Sequence, residues 1–182
     1  MQRFVLITGC SGGGKSTLLD ALSRRGFDAI AEPGRRVIAQ ERVTNGTAFP
    51  WVDPHSFTLK AIAMARSDFS QMADRNGVVF FDRGLLDAAV ALRAQTGCCL
   101  EDVLGPKTQR IFHRTVFVAP PWPEIFGQDQ DRKHSLSEAI DEYSRICTAL
   151  NEYRYVPEEL PKVSVATRVD FVLNRLKIAP PP

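Results

Sequence analysis

The sequence has few of the features that mark metal-binding, secreted or membrane-inserted proteins. Its 182 residues include only 3 histidines and 4 cysteines, and neither set has the paired spacing of a zinc site. We therefore predict no zinc and reduced cysteines, as in a cytoplasmic protein. No apolar run reaches the length of a membrane span, and the apolar stretch near the start is too short for a signal peptide.

An excess of one charge is also lacking, since the formal net charge is +2 at pH 7. This balance gives no electrostatic reason to expect binding to nucleic acid or to an anionic membrane. The length suits one compact domain that buries its core without disulfides or a structural metal. We expect that domain to span residues 1–178, and the proline-rich residues 179–182 to form a disordered tail.

What the sequence does contain is a glycine-rich segment directly after an apolar run at residues 4–7. Glycine, four further residues and Gly-Lys-Ser form the phosphate-binding pattern called the P-loop. Its glycines let backbone N–H groups converge on phosphate oxygens, Lys15 can reach the β and γ phosphates, and the Ser16 hydroxyl can bind Mg²⁺. We predict that a nucleoside triphosphate is bound by Gly9, Cys10, Ser11, Gly12, Gly13, Gly14, Lys15, Ser16 and Thr17.

Short apolar runs alternate with segments of helical spacing, which is typical of an α/β fold with helices on both faces of a sheet. We predict strands at residues 3–8, 27–32, 77–82, 115–119 and 155–160, although Pro157 suits only an edge position. Helices are predicted over residues 17–25, 54–75 and 164–176, and another after Ser135.

Local signals support the later helices of this pattern. Asp53, Ser135 and Ser164 are expected to cap the helices that follow them. Leu59 and Ile140 belong to apolar stripes that we expect to face the core.

Charged side chains follow two of the predicted strands, at the sheet edge where ligands bind in parallel α/β folds. Asp82 ends the third strand, where P-loop enzymes hold Mg²⁺. Glu32 ends the second strand and can orient a hydroxyl group and accept its proton, while Arg35 and Arg36 can bind anionic groups. Purely structural alternatives remain open, namely a polar turn at Asp82 and a helix cap or an ion pair with Arg35 at Glu32.

Two further segments have charged side chains near the expected site. Arg83 and Asp87 have the i,i+4 spacing of a helical ion pair, and we predict that they pair structurally, with the alternative that both face the cleft. Residues 127–134 form a polar segment that is either a solvated loop or a closing lid, with Arg132 or Lys133 supplying positive charge.

Taken together, these residues resemble two related groups of P-loop kinase-like proteins. Glu32-Pro33 and Asp82-Arg83-Gly84 are similar to the Glu-Pro and Asp/Glu-Arg-Ser elements of deoxynucleoside kinases, with Gly84 in place of the serine. A closer resemblance, from the P-loop to about Leu176, is to small AAA-type predicted ATPases related to the nicotinamide riboside kinase domain. Its pattern is present in four segments, at residues 32–35, 82–87, 131–133 and 166–171.

This resemblance implies a P-loop NTPase three-layer sandwich with the parallel strand order 2-3-1-4-5. It also implies transfer of the ATP γ-phosphoryl group to a hydroxyl group of a nucleoside-like or other small metabolite. Lys15 would contact the phosphates, Ser16 and Asp82 the Mg²⁺, and Glu32 the acceptor. The candidate charge stabilisers are Arg35, Arg36, Arg83 and Arg132.

Two alternatives use the same P-loop. One is a regulatory ATPase or switch whose hydrolysis changes a surface for a protein partner. The other is a nucleic-acid-associated ATPase, which the near-neutral charge disfavours. The acceptor and the oligomeric state are left open.

Overall fold

The computed structural model describes residues 3–107, 110–127 and 135–181, and these contain a five-stranded sheet. All strand neighbours are parallel, and their order is β2-β3-β1-β4-β5. The predicted topology is therefore confirmed. The strands are β1 Phe4–Gly9, β2 Asp28–Ile30, β3 Val79–Asp82, β4 Thr115–Ala119 and β5 Val156–Glu159.

Helices connect the strands and cover the sheet. Asp53, Ser135 and Ser164 accept hydrogen bonds from backbone N–H groups in the first turns that follow them, so the predicted caps are confirmed. A short 3₁₀ turn lies at Pro123–Ile125. The helices are α1 Lys15–Arg24, α2 Pro33–Thr44, α3 Pro54–Gln71, α4 Leu85–Thr96, α5 Glu101–Leu104, α6 Leu136–Glu152 and α7 Val165–Leu176.

Side chains on the two faces of the sheet belong to two separate hydrophobic cores, as the three-layer prediction requires. Leu6 and Phe81 pack in a core shared with α3, α4 and α6, whereas Ile7 and Phe80 pack in a core shared with α1 and α7. Burying each such side chain contributes roughly 1.5–3 kcal/mol to folding. The central strands are apolar on both faces because helices cover both.

Several predicted boundaries need correction. β2 ends at Ile30, so Glu32 lies beyond the strand, at the residue before the first turn of α2, where Pro33 follows it. α3 ends at Gln71 rather than at residue 75. Pro157 lies in β5, which is an edge strand as its missing N–H demands.

Two apolar residues expected in the core are largely on the surface. Leu59 is 46% exposed and Ile140 is 39% exposed. Small neighbours take the buried positions instead: Ala61 and Ala65 in α3 and Ala139 in α6. The rest of the two predicted stripes is confirmed, since Ile62 and Leu150 are buried in the core. Among the described helices, none is long and apolar enough to cross a membrane.

Candidate active site

The P-loop joins β1 to α1 and is held in place by its backbone. Gly9 and Gly14 have φ values of 105° and 74°, which side-chain-bearing residues rarely adopt. A Cβ on Gly9 would collide with the backbone of Ala119, and the Cys10 N–H donates to the Ala119 carbonyl at 2.8 Å. The loop is therefore anchored to the end of β4.

Lys15 lies inside this loop and is almost fully buried. Its Nζ donates to the Cys10 carbonyl at 2.8 Å. Burial, with repulsion from Arg83, lowers the pKa of Lys15 below its ordinary value, while Asp82 and Glu32 oppose that shift. The ammonium group is thus positioned within the loop that phosphate oxygens are expected to enter.

Ser16 and Asp82, the two predicted metal ligands, are in direct contact. The Ser16 Oγ donates to Asp82 Oδ2 at 2.7 Å. The other carboxylate oxygen, Oδ1, is buried and has no hydrogen-bond partner among the described residues. A hydroxyl next to a carboxylate with an unsatisfied oxygen is a donor set that fits Mg²⁺.

Arg168 of α7 holds the P-loop through hydrogen bonds to its backbone, a role that sequence reasoning missed. Its guanidinium donates to the Gly13 and Gly14 carbonyls at 3.1 and 3.3 Å, and its Cζ lies 5.5 Å from the centre of the Trp122 ring. Burial lowers the pKa of Arg168. A Cβ on Gly14 would lie 2.8 Å from this guanidinium, so glycine is also needed here for space.

A first cavity of about 570 Å³ opens over the loop, and we call it the P-loop cavity. One end is polar, because the loop, Lys15 and Ser16 form it. The other is largely apolar and includes Trp122 and Val165, which suits a nucleobase. Its lining residues are Ser11, Gly12, Gly14, Lys15, Ser16, Thr17, Glu32, Arg35, Trp122, Ile125, Val163, Ser164, Val165 and Arg168.

A second cavity of about 80 Å³ lies beyond Glu32. We call it the second cavity. Glu32 lines both cavities. The second cavity's lining residues are Glu32, Pro33, Gly34, Phe57, Thr58, Ala61, Arg83, Gly84, Asp87, Ala88, Ala91 and Glu142.

Arg83 is the buried centre of an ion-pair network on the wall of the second cavity. Its Nη1 and Nη2 donate to the two carboxylate oxygens of Glu142 at 2.9 Å each. Nη1 also donates to Asp87 at 3.3 Å and Nη2 to the Gly9 carbonyl at 3.2 Å, while Nε lies 3.6 Å from Glu32 Oε1. The predicted pair with Asp87 is confirmed. Although burial opposes it, these carboxylates raise the pKa of Arg83.

Glu32 connects this network to the nucleotide side. Its second oxygen lies 3.7 Å from the Nε of Arg35, which lines the P-loop cavity. The Glu32 side chain is 27% exposed. Burial raises the pKa of Glu32, although Arg83 pulls it down. A carboxylate with a raised pKa between two cavities is suited to proton transfer.

One predicted charge stabiliser, Arg36, pairs with a residue outside both cavities. Arg36 Nη1 lies 2.9 Å from both carboxylate oxygens of Asp68 in α3 and is not among the residues that line either cavity. Arg36 therefore joins α2 to α3 in this structure, and its assignment as a substrate ligand stays a prediction. Arg132, Lys133 and most of the predicted lid lie outside the described residues.

The residues that the prediction missed come from distant elements. Asp87 lines the second cavity as well as pairing with Arg83, and it also accepts from the Thr8 hydroxyl and from the Gly84 N–H at 3.0 Å. Glu142 lies 59 residues from Arg83, and no local pattern connects them. The serine-to-glycine difference has a steric reason, since a Cβ on Gly84 would lie 3.0 Å from the Phe112 ring.

The parallel sheet, the P-loop and the paired Ser16 and Asp82 define a P-loop nucleotide-binding fold of the kinase-like type. A model of the AAA domain matches residues 4–168. Because that match covers most of the chain, the protein belongs to this AAA domain family.

Solved kinase structures share the fold at low sequence identity. Deoxyadenosine kinase from M. mycoides with bound dATP has a TM-score of 0.70 and 14% identity, with 97% of this chain and 100% of that chain covered. Thymidylate kinase from Ehrlichia chaffeensis has a TM-score of 0.61 and 19% identity, with 97% and 99% covered.

The NadR protein in complex with NR has a TM-score of 0.69 and 16% identity. All of this chain is covered, but it spans only 53% of that chain. A comparison with curated proteins finds no match.

Proposed function

We propose that the protein is an ATP-dependent phosphotransferase that moves the γ-phosphoryl group of ATP to a hydroxyl group of a small acceptor. The observation that carries this proposal is the position of Glu32, which lines the P-loop cavity on one side and the second cavity on the other. A nucleotide in the first and an acceptor in the second would meet at this carboxylate.

The P-loop residues bind and orient the nucleotide. Backbone N–H groups and Lys15 hold the phosphates, and the apolar end near Trp122 receives the base. Ser16 and Asp82 would hold Mg²⁺, which neutralises charge on the phosphate oxygens when bound. Arg168 keeps the loop in shape by its bonds to the Gly13 and Gly14 carbonyls.

Glu32 acts on the acceptor. Its carboxylate accepts the proton of the acceptor hydroxyl as that oxygen bonds to the γ-phosphorus, and the bond from this phosphorus to the β,γ-bridging oxygen breaks to release ADP. Arg35, which lines the P-loop cavity and pairs with Glu32, is placed to stabilise negative charge on the transferred group.

Two of the solved structures with this fold are kinases, deoxyadenosine kinase and thymidylate kinase, and this supports the proposal. The second cavity favours a kinase over a regulatory ATPase, because an ATPase switch needs no acceptor space beside its nucleotide.

The test compares the parent protein with Glu32→Gln and with Glu101→Gln, a control at an exposed position outside both cavities. Phosphorylated product, ADP and ATP affinity are measured with a library of hydroxyl compounds. We expect Glu32→Gln to lose roughly 10²- to 10⁴-fold in transfer and to keep its ATP affinity. Equal transfer rates in parent and Glu32→Gln would reject Glu32 as the base. Hydrolysis with no phosphorylated acceptor would reject the kinase.

A further inference from the structure

The charges around the second cavity are unbalanced. Among the residues that the structure describes, three carboxylates line it, those of Glu32, Asp87 and Glu142, and one cationic side chain, that of Arg83. Arg35 is near Glu32 but lines the P-loop cavity instead. Even with Arg35 included, three acids face two guanidinium groups. The described lining of this space therefore has more carboxylates than guanidinium groups.

The two terminal nitrogens of Arg83 have no donor left for an anionic ligand. A guanidinium group has five N–H donors. The four on Nη1 and Nη2 correspond to four hydrogen bonds, to Glu142 twice, to Asp87 and to Gly9, and Nε faces Glu32. An acceptor carboxylate or phosphate would have to displace one of these partners from Arg83, and the loss of this cation is most costly for Asp87, the buried carboxylate of the set.

The cleft next to the second cavity also has more acidic than basic side chains. A neighbouring cleft of about 460 Å³ shares Asp87, Ala91 and Glu142 with it. Glu138 adds another carboxylate there, and Arg145 is the only cationic side chain among the cleft's lining residues. Acids therefore outnumber bases along this path in the part of the chain that the structure describes.

The remaining wall of the second cavity is mostly apolar, with Thr58 as its one polar side chain among the described residues. Pro33, Phe57, Ala61, Ala88 and Ala91 contribute to it. The Phe57 ring lies close to the backbone, since a Cβ on Gly34 would be only 3.1 Å from its Cζ. Such a wall packs against an apolar or ring-shaped part of a ligand, while Glu32 is left to contact a hydroxyl group.

We propose that the phosphoryl acceptor has no negative charge: the second cavity accepts an uncharged or cationic hydroxyl compound and excludes phosphorylated and carboxylated ones. This inference rests on the proposed kinase function and narrows it. The selectivity comes from repulsion by the surplus carboxylates as much as from attraction. A nucleoside or a ring-bearing alcohol fits this description, whereas a nucleoside monophosphate or a hydroxy acid does not.

The test uses matched acceptors that differ mainly in charge. Nucleosides are compared with their 5′-monophosphates, ring alcohols with the corresponding hydroxy acids, and neutral ribosides with ribosides that have a quaternary ring nitrogen. The readout is kcat/KM for ADP and phosphorylated product. We expect uncharged and cationic members to exceed their anionic counterparts by about 10²-fold. An anionic acceptor that matches or exceeds its uncharged counterpart would overturn the inference and leave the kinase proposal intact. Transfer to no member of the set would overturn both.

A pair of variants in α6 tests the cause of the selectivity. Glu142 and Glu152 are both 33% exposed and both pair with an arginine, Arg83 and Arg93 respectively, but only Glu142 lines the second cavity. We expect Glu142→Gln to raise the ratio of anionic to uncharged turnover by roughly tenfold, because it frees Arg83 donors and removes one negative charge.

Glu152→Gln is expected to leave this ratio unchanged. Thermal unfolding of both variants verifies that they are folded, and the ratio itself is independent of the amount of active protein. An unchanged ratio in folded Glu142→Gln, or the same change in Glu152→Gln, would contradict the electrostatic cause.

Discussion

The two cavities that meet at Glu32 are built in different ways. The phosphate end of the P-loop cavity comes from one continuous segment, and its backbone conformation is imposed by glycines such as Gly9 and Gly14. The second cavity is built from side chains of α2, α3, α4 and α6 and of the turn after β3. Neighbouring residues in the sequence therefore determine a site built from backbone groups, whereas a site built from side chains depends on how the whole chain folds.

The largest effect is expected on the nucleotide side of this comparison. Lys15→Ala removes the buried cation of the loop, and we expect kcat to fall by about 10²- to 10³-fold, because one charge-stabilising donor is lost. ATP affinity should fall as well. Lys107→Ala, at an exposed position, is the control in the same turnover and titration assays. Turnover equal to that of the parent in Lys15→Ala would contradict a role for the P-loop in phosphoryl transfer.

The ion pairs around the second cavity should contribute more to the free energy of unfolding than an exposed ion pair does. Arg83→Gln leaves Glu32, Asp87 and Glu142 without their shared cation, and we expect a loss of about 3–5 kcal/mol in the free energy of unfolding. Arg25→Gln breaks a single pair with Asp170 in which the two side chains are 46% and 59% exposed, and should cost about 1 kcal/mol or less. Urea unfolding of both variants measures the difference. Equal losses would mean that the Arg83 network is no more than a surface ion pair.

A smaller effect should separate acceptor binding from ATP binding. Phe57→Ala removes the ring from the apolar wall of the second cavity, so we expect the acceptor KM to rise by roughly tenfold with the KM for ATP unchanged. Leu59→Ala, an exposed position in the same helix, controls for changes in α3. An increase in the KM for ATP alone would contradict this prediction, because it would indicate that Phe57 contacts the nucleotide and not the acceptor.

The smallest predicted effect is a shift in pH dependence. Glu32 acts as a base only when it is ionised, and its pKa is raised by burial above the ordinary value of 4.5. Transfer should therefore fall as the pH drops through this raised pKa, at a higher pH than an ordinary glutamate would give. Profiles of kcat, with ATP affinity measured over the same range, check this. Full transfer down to pH 4.5 would contradict it.

Much of the fold could be predicted because its signals are local. Strand order followed from the family resemblance, and the caps at Asp53, Ser135 and Ser164 followed from residue type and position. The exposed Leu59 shows the limit of this approach, since packing between helices decided which face of α3 is buried.

The site was predicted less completely, because packing between helices also positions several of its residues. Glu32 and Asp82 end up near the P-loop because strand ends meet at one edge of a parallel sheet. The partners that define the second cavity, Glu142 above all, come from helices far along the chain. No spacing rule connects Glu142 to Arg83 or Arg168 to the P-loop, since both contacts form only when the helices pack.

The most direct test is a crystal structure of the protein with Mg²⁺ and a non-hydrolysable ATP analogue. The proposed arrangement predicts the terminal phosphate beside Lys15, the metal at Ser16 and Asp82, and the Glu32 carboxylate facing that phosphate across an open second cavity. A nucleotide bound in the P-loop with Glu32 turned away from its terminal phosphate, or with the second cavity closed by protein atoms, would contradict the phosphotransferase.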